Sequence, residues 1–169
     1  MLVLPRIESL KFGHLFRLKS RINNYDYMKQ ENKDLLKDLC ARLPYDIKVQ
    51  HEDGVFNIDY ISSMYGEVHL DIVDNYTIDI SEVKPYLFPL SSMTEEQLND
   101  FYATIRPVIE EALDAWKIDK TEYEGERPIT LKDIKADIVA VNWMLKNHFD
   151  MNGLIPKGLA IDCTNLNIY

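Results

Sequence analysis

The stretch Ile47-Lys-Val-Gln-His-Glu-Asp-Gly-Val-Phe-Asn-Ile-Asp-Tyr60 decides the fold of this chain, because its apolar residues recur at every second position over most of its length. The same alternation continues over residues 68–72 and 78–80. A period of two is typical of an antiparallel strand with one covered face and one wet face. Asp53-Gly54 is a suitable tight-turn pair between the first two runs. The sequence therefore predicts an antiparallel meander of about four strands over roughly residues 46–80.

The alternation also assigns side chains to the two faces of the predicted sheet, since successive residues of a strand point to opposite faces. By this count Phe56, Ile58 and Tyr60 share one face of their strand. We expect the helices to cover Ile58, Val68, Leu70 and Ile72. We expect solvent to reach Asp59, His69 and Asp71.

Helical patterns flank the predicted sheet on both sides. Between Glu31 and Leu43, leucines at helical spacing form an apolar stripe with charged residues opposite, and Pro44 ends the segment. Thr94 and Gln97 have the spacing of a capping box that begins a second helix. A last helix, ending near residue 147 or 148, carries the apolar stripe Ile134, Ile138, Val141 and Leu145. The predicted class is α+β, a single two-layer domain with about three or four helices on the meander.

Pro85 and Pro89 flank an apolar Tyr86-Leu-Phe88. Proline lacks the N–H that a strand ladder needs, so both prolines cannot lie inside one central strand. The sequence therefore predicts an extended connection here.

Composition limits the location of the protein. The chain has 169 residues, of which 46% are hydrophobic, enough for one core. Cys40 and Cys163 lie far apart, and neither belongs to a CxxC motif or a Cys/His cluster, which predicts buried, unbridged thiols in a reducing compartment. No apolar run reaches the roughly 20 residues of a bilayer crossing, and the N-terminus lacks a signal-peptide pattern. We therefore predict a cytoplasmic protein without a membrane partner.

Charge is distributed unevenly along the chain. Residues 1–27 hold five Lys or Arg and two Asp or Glu, a net of +3, so residues 28–169 carry −12 of the total of −9. This acidic body repels a phosphate backbone, which argues against a nucleic-acid partner. Two interpretations of residues 1–27 are open. They are an extension translated from an upstream start codon, with Met28 as the natural first residue, or they are a functional basic arm. The first is favoured, and we expect these residues to contribute little to the core of the domain formed by 28–169.

Three segments carry a resemblance to a known family. They are Lys33-Asp-Leu-Leu-Lys-Asp-Leu-Cys-Ala-Arg-Leu-Pro-Tyr45, Lys84-Pro-Tyr-Leu-Phe-Pro-Leu-Ser-Ser-Met-Thr-Glu-Glu-Gln97 and Trp143-Met-Leu-Lys-Asn-His-Phe-Asp-Met-Asn-Gly-Leu-Ile-Pro-Lys-Gly-Leu-Ala-Ile-Asp162. They resemble small uncharacterised proteins of gut Bacteroidales and their phages and mobile elements, over about residues 28–169. That family has no assigned biochemical activity, so the resemblance implies kinship and leaves the activity open.

The resemblance marks a set of signature positions: Pro85, Pro89, Thr94, Gln97, Trp143, Phe149, Gly153, Pro156 and Gly158. In the family pattern a tyrosine and an arginine follow Phe149-Asp150, where this chain has Met151 and Asn152. A site that depended on that arginine is therefore missing here.

Three residues are candidates for catalysis. His148 and Asp150 would pair a base with an orienting carboxylate, and Asp162 would complete the set. The competing interpretation is structural: a histidine in the last turn of a helix complements the helix dipole, and Asp150 with Asn152-Gly153 makes a turn. The sequence contains no P-loop, GxGxxG, GxSxG, HExxH or paired CxxC. It therefore favours the structural interpretation and predicts no cofactor.

Two other groupings have the residue types of a binding site. His51, His69 and Asp71 could hold a metal, but no tight ligand spacing supports one, and we predict none. The basic and aromatic residues available for a small-molecule pocket are Lys84, Tyr86, Arg106 and Lys157.

These observations leave three functional hypotheses and an open oligomeric state. The first is a non-enzymatic accessory factor of a phage or mobile element that binds another protein through an acidic surface. Some of the ten tyrosines would lie on that surface, since tyrosine is favoured at interfaces. The second is a protein that binds or sequesters a small molecule. The third is an enzyme that uses His148, Asp150 and Asp162.

Overall fold

The computed structural model describes residues 28–62, 65–71, 77–119 and 131–169, and these residues form a mixed α+β fold. Residues 1–27 and Ile72 lie outside this set. The described helices are Gln30–Arg42 (α1), Glu95–Asp119 (α2) and Leu131–Lys146 (α3). The strands are Lys48–His51 (β1), Gly54–Ser62 (β2), Glu67–Leu70 (β3), Thr77–Asp79 (β4), Lys84–Leu87 (β5) and Ile161–Asp162 (β6).

The six described strands form a mostly antiparallel sheet in the order β4-β3-β2-β1-β5-β6. The predicted α+β class is confirmed, and the sheet has two more strands than the predicted meander. The chain divides into two compact units, one ending at Pro85 and the other beginning at Tyr86.

The meander of the first unit matches the predicted alternation in most of its length. A two-residue turn, Glu52-Asp53, joins β1 to β2, so that His51 pairs with Gly54. β3 then pairs antiparallel with both β2 and β4. Val68 and Leu70 are buried and Asp71 is exposed, as predicted.

A β-bulge in β2 changes the predicted face of one residue. The register against β3 shifts between Ile58, which pairs with Leu70, and Tyr60, which pairs with His69. One extra residue, Asp59, reverses the side to which the following residues point. Tyr60 therefore lies on the face of His69, and the prediction that it shares a face with Ile58 was wrong.

The first helix confirms the leucine stripe but corrects its polar side. Leu35, Leu36 and Leu39 are buried. Asp38 and Arg42 were expected among the exposed charges, yet both side chains are fully buried as an ion pair. Arg42 Nε donates to Asp38 Oδ2 over 2.6 Å and Nη2 donates to Oδ1 over 3.1 Å. The two residues are one turn apart, so each supplies the other with an opposite charge and two hydrogen bonds inside the core.

Pro85 corrects the predicted connection after the meander. It lies inside β5, which pairs antiparallel with β1 at Lys84 and Pro85 and parallel with β6 at Tyr86 and Leu87. Proline is tolerated because the antiparallel pairing ends at this residue, where the strand needs no further N–H toward β1. Pro89 lies just beyond the strand, so the two prolines do not both lie inside it, as predicted.

The second unit contains a helix pair, of which α2 begins at the predicted capping box. The Thr94 amide donates to Gln97 Oε1 over 2.9 Å, and the Gln97 amide donates to Thr94 Oγ1 over 3.2 Å. The helix continues through Pro107 without dividing. Lys135 of α3 forms an ion pair with Glu111 of α2.

The apolar stripe of α3 was assigned to the wrong side. Ile134, Ile138 and Val141 are exposed, and of the predicted four only Leu145 is buried. The buried Trp143, whose indole Nε1 donates to Asp100 of α2 over 2.7 Å, sets the rotation of this helix. At 3.6 residues per turn, the whole stripe lies on the side of the helix opposite Trp143, and only Leu145, in the last turn, is buried there.

The location prediction rested on the cysteines and on hydropathy. Both cysteines are free, but Cys40 is exposed and only Cys163 is buried. None of the helices in the described ranges combines the length and apolarity needed to cross a membrane. The cytoplasmic location stays a prediction.

The two faces of β3 and its end provide a direct test of the meander. Leu70→Ala removes a fully buried side chain and should lower the free energy of unfolding by about 2–5 kcal/mol, whereas the exposed Asp71→Asn should change it by less than about 0.5 kcal/mol. Urea unfolding of both variants beside the parent protein measures this difference. Equal losses at the two positions would show that the sheet is covered on both faces.

Candidate functional site

The candidate catalytic residues lie around the end of α3, which closes with a Schellman motif. The Phe149 amide donates to the Met144 carbonyl over 3.0 Å, and the His148 amide donates to the Leu145 carbonyl over 3.1 Å. His148 holds the left-handed position of this motif, with φ +58°, where glycine is usual. Its ring stacks on Tyr169 at a centroid distance of 3.9 Å.

Asp150 organises the loop that follows. Its amide donates to the Phe88 carbonyl over 2.8 Å. Its carboxylate accepts the amide of Leu154 at Oδ1 over 2.8 Å and that of Ile155 at Oδ2 over 2.9 Å. The structure therefore directs both oxygens of this buried carboxylate to backbone donors, which ties the loop to the end of the helix.

The other signature residues surround this carboxylate loop. Phe149 is fully buried and stacks on Trp143 at a centroid distance of 5.8 Å. Gly153 and Gly158 have φ of +64° and +72°, conformations that L side chains rarely adopt, and Pro156 lies beside Gly153. Each of these features shapes the path of the chain.

Asp162 lies on β6, where its exposed side chain closes a short turn. Its Oδ1 accepts both the Thr164 hydroxyl over 2.6 Å and the Thr164 amide over 2.9 Å. These two hydrogen bonds, the hydroxyl one first, lower the pKa of the Asp162 carboxyl. The next residue, Cys163, is buried, and burial together with the Asp162 charge raises the pKa of its thiol to about 11.

The four residues proposed for a small-molecule pocket occupy unlike environments. Lys84 is exposed, whereas Tyr86 is buried and its carbonyl accepts the Tyr169 hydroxyl over 3.0 Å. Arg106 is exposed on α2. Lys157 donates to the Asn152 carbonyl over 3.2 Å.

The two histidines considered for a metal lie on opposite faces of the meander. His51 points to the face of Val49 and is buried, whereas His69 is one residue out of phase with the buried Val68 and Leu70. β2 separates their strands. The grouping of His51, His69 and Asp71, which was considered for a metal and not predicted to bind one, does not form.

The wet face of the meander, here called the outer face, carries a stacked aromatic pair. The rings of Tyr60 and His69 lie 3.6 Å apart at an interplanar angle of 17°. Thr77, which pairs with His69 on the next strand, places its hydroxyl 2.9 Å from His69 Nδ1. Tyr60 nevertheless remains 45% exposed. The bulge that brings Tyr60 to this face could not be predicted from the apolar alternation of the β2 sequence.

Carboxylates border the stacked pair. Glu67 lies two residues before His69 on β3 and pairs with Asp79 of β4, so both belong to the same face. Asp59 forms the bulge beside Tyr60, and Asp71 follows β3; both are exposed. The outer face is therefore a partly exposed aromatic platform in an acidic surround.

Comparison with known proteins adds no relative: no family model, no curated protein and no solved structure matches the chain. The resemblance to the Bacteroidales family thus stays a prediction. Assignment of a site rests on the geometry of the described residues.

The two aspartates of the C-terminal region should differ in their effect on stability. Asp150→Ala leaves two backbone amides without their charged acceptor and should lower the free energy of unfolding by about 2–4 kcal/mol. Asp162→Ala, at an exposed turn, serves as the matched control and should cost less than about 0.5 kcal/mol. Chemical unfolding of both variants measures the effect. An Asp150→Ala protein as stable as the control would mean that its carboxylate is not structural.

The two thiols should alkylate at different rates. Cys40 is exposed and Cys163 is buried with its pKa raised to about 11, so iodoacetamide at pH 8 should label Cys40 first. Because the thiolate is the reacting form, labelling of Cys163 should rise as the pH approaches 11. Peptide mass spectrometry follows both sites, and protein unfolded in urea, where both react alike, is the control. Faster labelling of Cys163 in the folded protein would contradict this arrangement.

Proposed function

We propose that this protein is a non-enzymatic binding factor that holds a cationic protein partner on the outer face of its meander. The observation that carries the proposal is the Tyr60–His69 stack, with Tyr60 45% exposed among four carboxylate residues. Setting the protein in a phage or mobile element rests on the resemblance alone.

The stacked pair has the properties of an interface anchor. Tyrosine combines a large apolar ring with a polar tip and loses little conformational entropy on binding, which is why it is enriched at energetically important interface positions. Tyr60 is already held by stacking on His69, so part of the ordering cost of binding has been met before a partner arrives. A guanidinium group can stack on such a ring while it reaches a carboxylate.

The surrounding charge selects the partner. Among the described residues, none forms an ion pair with Asp59, Glu67 or Asp71. Their charges are therefore available to a surface rich in Lys or Arg, which they attract over a distance of about 8 Å at physiological salt. The same charge repels the phosphates of nucleic acid.

The positions of the candidate catalytic residues agree with a non-enzymatic role. The carboxylate of Asp150 accepts two backbone amides, and that of Asp162 accepts the amide and hydroxyl of Thr164. His148 lies in the helix-ending motif with its ring against Tyr169.

Replacement of Tyr60 should separate binding from folding. Tyr60→Ser should reduce recovery of a specific cationic partner about tenfold or more in quantitative affinity purification from host cells, as loss of an interface anchor does. Tyr102, which is 51% exposed on α2, offers a matched control, and Tyr102→Ser should leave recovery unchanged. Circular dichroism checks that both variants are folded.

The comparison has two contrary outcomes. Equal recovery by the parent protein and Tyr60→Ser would remove the outer face from consideration. Equal loss with both variants would place the contact elsewhere. Recovery should also fall with added salt, because charges at the rim act mainly on the rate of association.

A further inference from the structure

A second cluster of chemically active groups lies at the turn between β1 and β2, apart from the outer face. It consists of His51, Glu52, Asp53 and Glu82, here called the hairpin cluster. His51 is the last residue of β1 and is only 3% exposed. Its Nδ1 lies 3.5 Å from Asp53 Oδ2, and its Nε2 lies 3.7 Å from Glu82 Oε2. A buried imidazole thus has a carboxylate at each nitrogen.

The backbone indicates which nitrogen carries the proton. The Asp53 amide points at His51 Nδ1 over 3.5 Å, and since an amide can only donate, Nδ1 is the acceptor. The proton of the neutral ring then belongs to Nε2, on the side of Glu82. Closure of the 3.7 Å gap between Glu82 and Nε2 would give a carboxylate–histidine–metal triad, in which an outer carboxylate orients the ring and the other nitrogen binds the ion.

The cluster has an excess of negative charge. Glu52, Asp53 and Glu82 contribute three carboxylates, and among the described residues only His51 lies within ion-pair distance of Asp53 or Glu82. The side chains of Asp53 and Glu82 are 63% and 56% exposed, so the turn is open to an ion from solvent. A divalent cation at this position would offset the mutual repulsion of the carboxylates.

We propose that the hairpin cluster binds a divalent transition metal of the zinc type through His51 Nδ1, Asp53 and Glu52, with Glu82 orienting His51 from its other nitrogen. Two ligands about 2.0–2.1 Å from a tetrahedral zinc ion lie about 3.4 Å from each other. His51 Nδ1 and Asp53 Oδ2 are already 3.5 Å apart.

The third ligand requires only a local adjustment. Ligand atoms of His51, Glu52 and Asp53 all lie within 4.8 Å of one another. Glu52 is exposed at the turn, so rotation of its side chain can bring the carboxylate to the ion. The ion would replace the long contact from the Asp53 amide, and water would complete its coordination. One imidazole among oxygen ligands selects zinc-type ions over magnesium or calcium.

Calorimetric titration of the tag-free, metal-stripped full chain with zinc tests the proposal. We expect one zinc ion per chain, bound at least about tenfold more tightly than magnesium. Asp53→Asn and Glu52→Gln remove exposed ligands and should weaken zinc binding about tenfold or more, as should Glu82→Gln through loss of the orienting carboxylate. His69→Gln, at the histidine of the outer face, is the matched control and should bind zinc as the parent protein does.

Nitrogen-15 spectra of the imidazoles provide a readout that folding alone cannot produce. Zinc should shift Nδ1 of His51 and leave His69 unchanged. The proposal is overturned if zinc binds no more tightly than magnesium, if Asp53→Asn and Glu52→Gln bind zinc like the parent protein, or if zinc shifts His69 instead. Because these two ligands are exposed, their variants decide the matter even if a variant of the buried His51 fails to fold. The outcome is independent of partner binding at Tyr60.

Discussion

One inserted residue in β2 determines which side chains of the meander meet solvent. Before Asp59, Ile58 pairs with Leu70 and lies on the same face as it. After Asp59, Tyr60 pairs with His69 and lies on the opposite face. Without that insertion Tyr60 would point into the core, where its hydroxyl would need a partner, and His69 would lack its stacking neighbour. The bulge also adds a carboxylate next to the exposed ring. The proposed binding surface therefore depends on this break in register, whereas Val68 and Leu70 are buried by the regular alternation of β3.

Buried polar groups provide a second organising element in each unit. In the first unit the Asp38–Arg42 pair lies fully inside the core. Removing one partner would leave a charge without compensation, which costs more than the pair itself gains. In the second unit the Asp150 carboxylate holds the Leu154 and Ile155 amides, so that an irregular loop can run through a buried position. The hydrogen bonds of both groups are directional, so they fix the positions of their partners more closely than apolar packing does.

Features that depend on nearby residues could be predicted from the sequence. The capping box at Thr94, the turn near Asp53 and the burial of Leu70 each depend on a pattern only a few residues long. Features that depend on residues far apart in the chain could not be predicted from the sequence. The rotation of α3 follows from the bond between Trp143 and Asp100, which lie far apart in the chain, so the apolar stripe alone misassigned the buried side. Likewise, Pro85 lies in a strand because β5 changes partners at that residue.

For the same reason, the sequence predicted the candidate site only in part. Tyrosine content and acidic charge indicated a binding surface, but the bulge that exposes Tyr60 has no distinctive residue in the sequence. The hairpin cluster was also out of reach, because Glu82 comes to His51 from another part of the chain. Sequence reasoning grouped His51 with His69 by residue type, whereas the pleat places them on opposite faces.

The parallel pairing of β5 with β6 has a consequence for the order in which the chain folds. The hairpins of β1 to β4 join neighbours in sequence, so they can form while the chain is still extended elsewhere. α2 and α3 lie between β5 and β6 in the sequence, so Tyr86 can pair with Ile161 only after the chain that contains both helices has been made. Closing so long a loop costs entropy before any contact repays it. The second unit should therefore complete its structure late, and during synthesis the edge of β5 that β6 will occupy stays uncovered until Ile161 and Asp162 have left the ribosome.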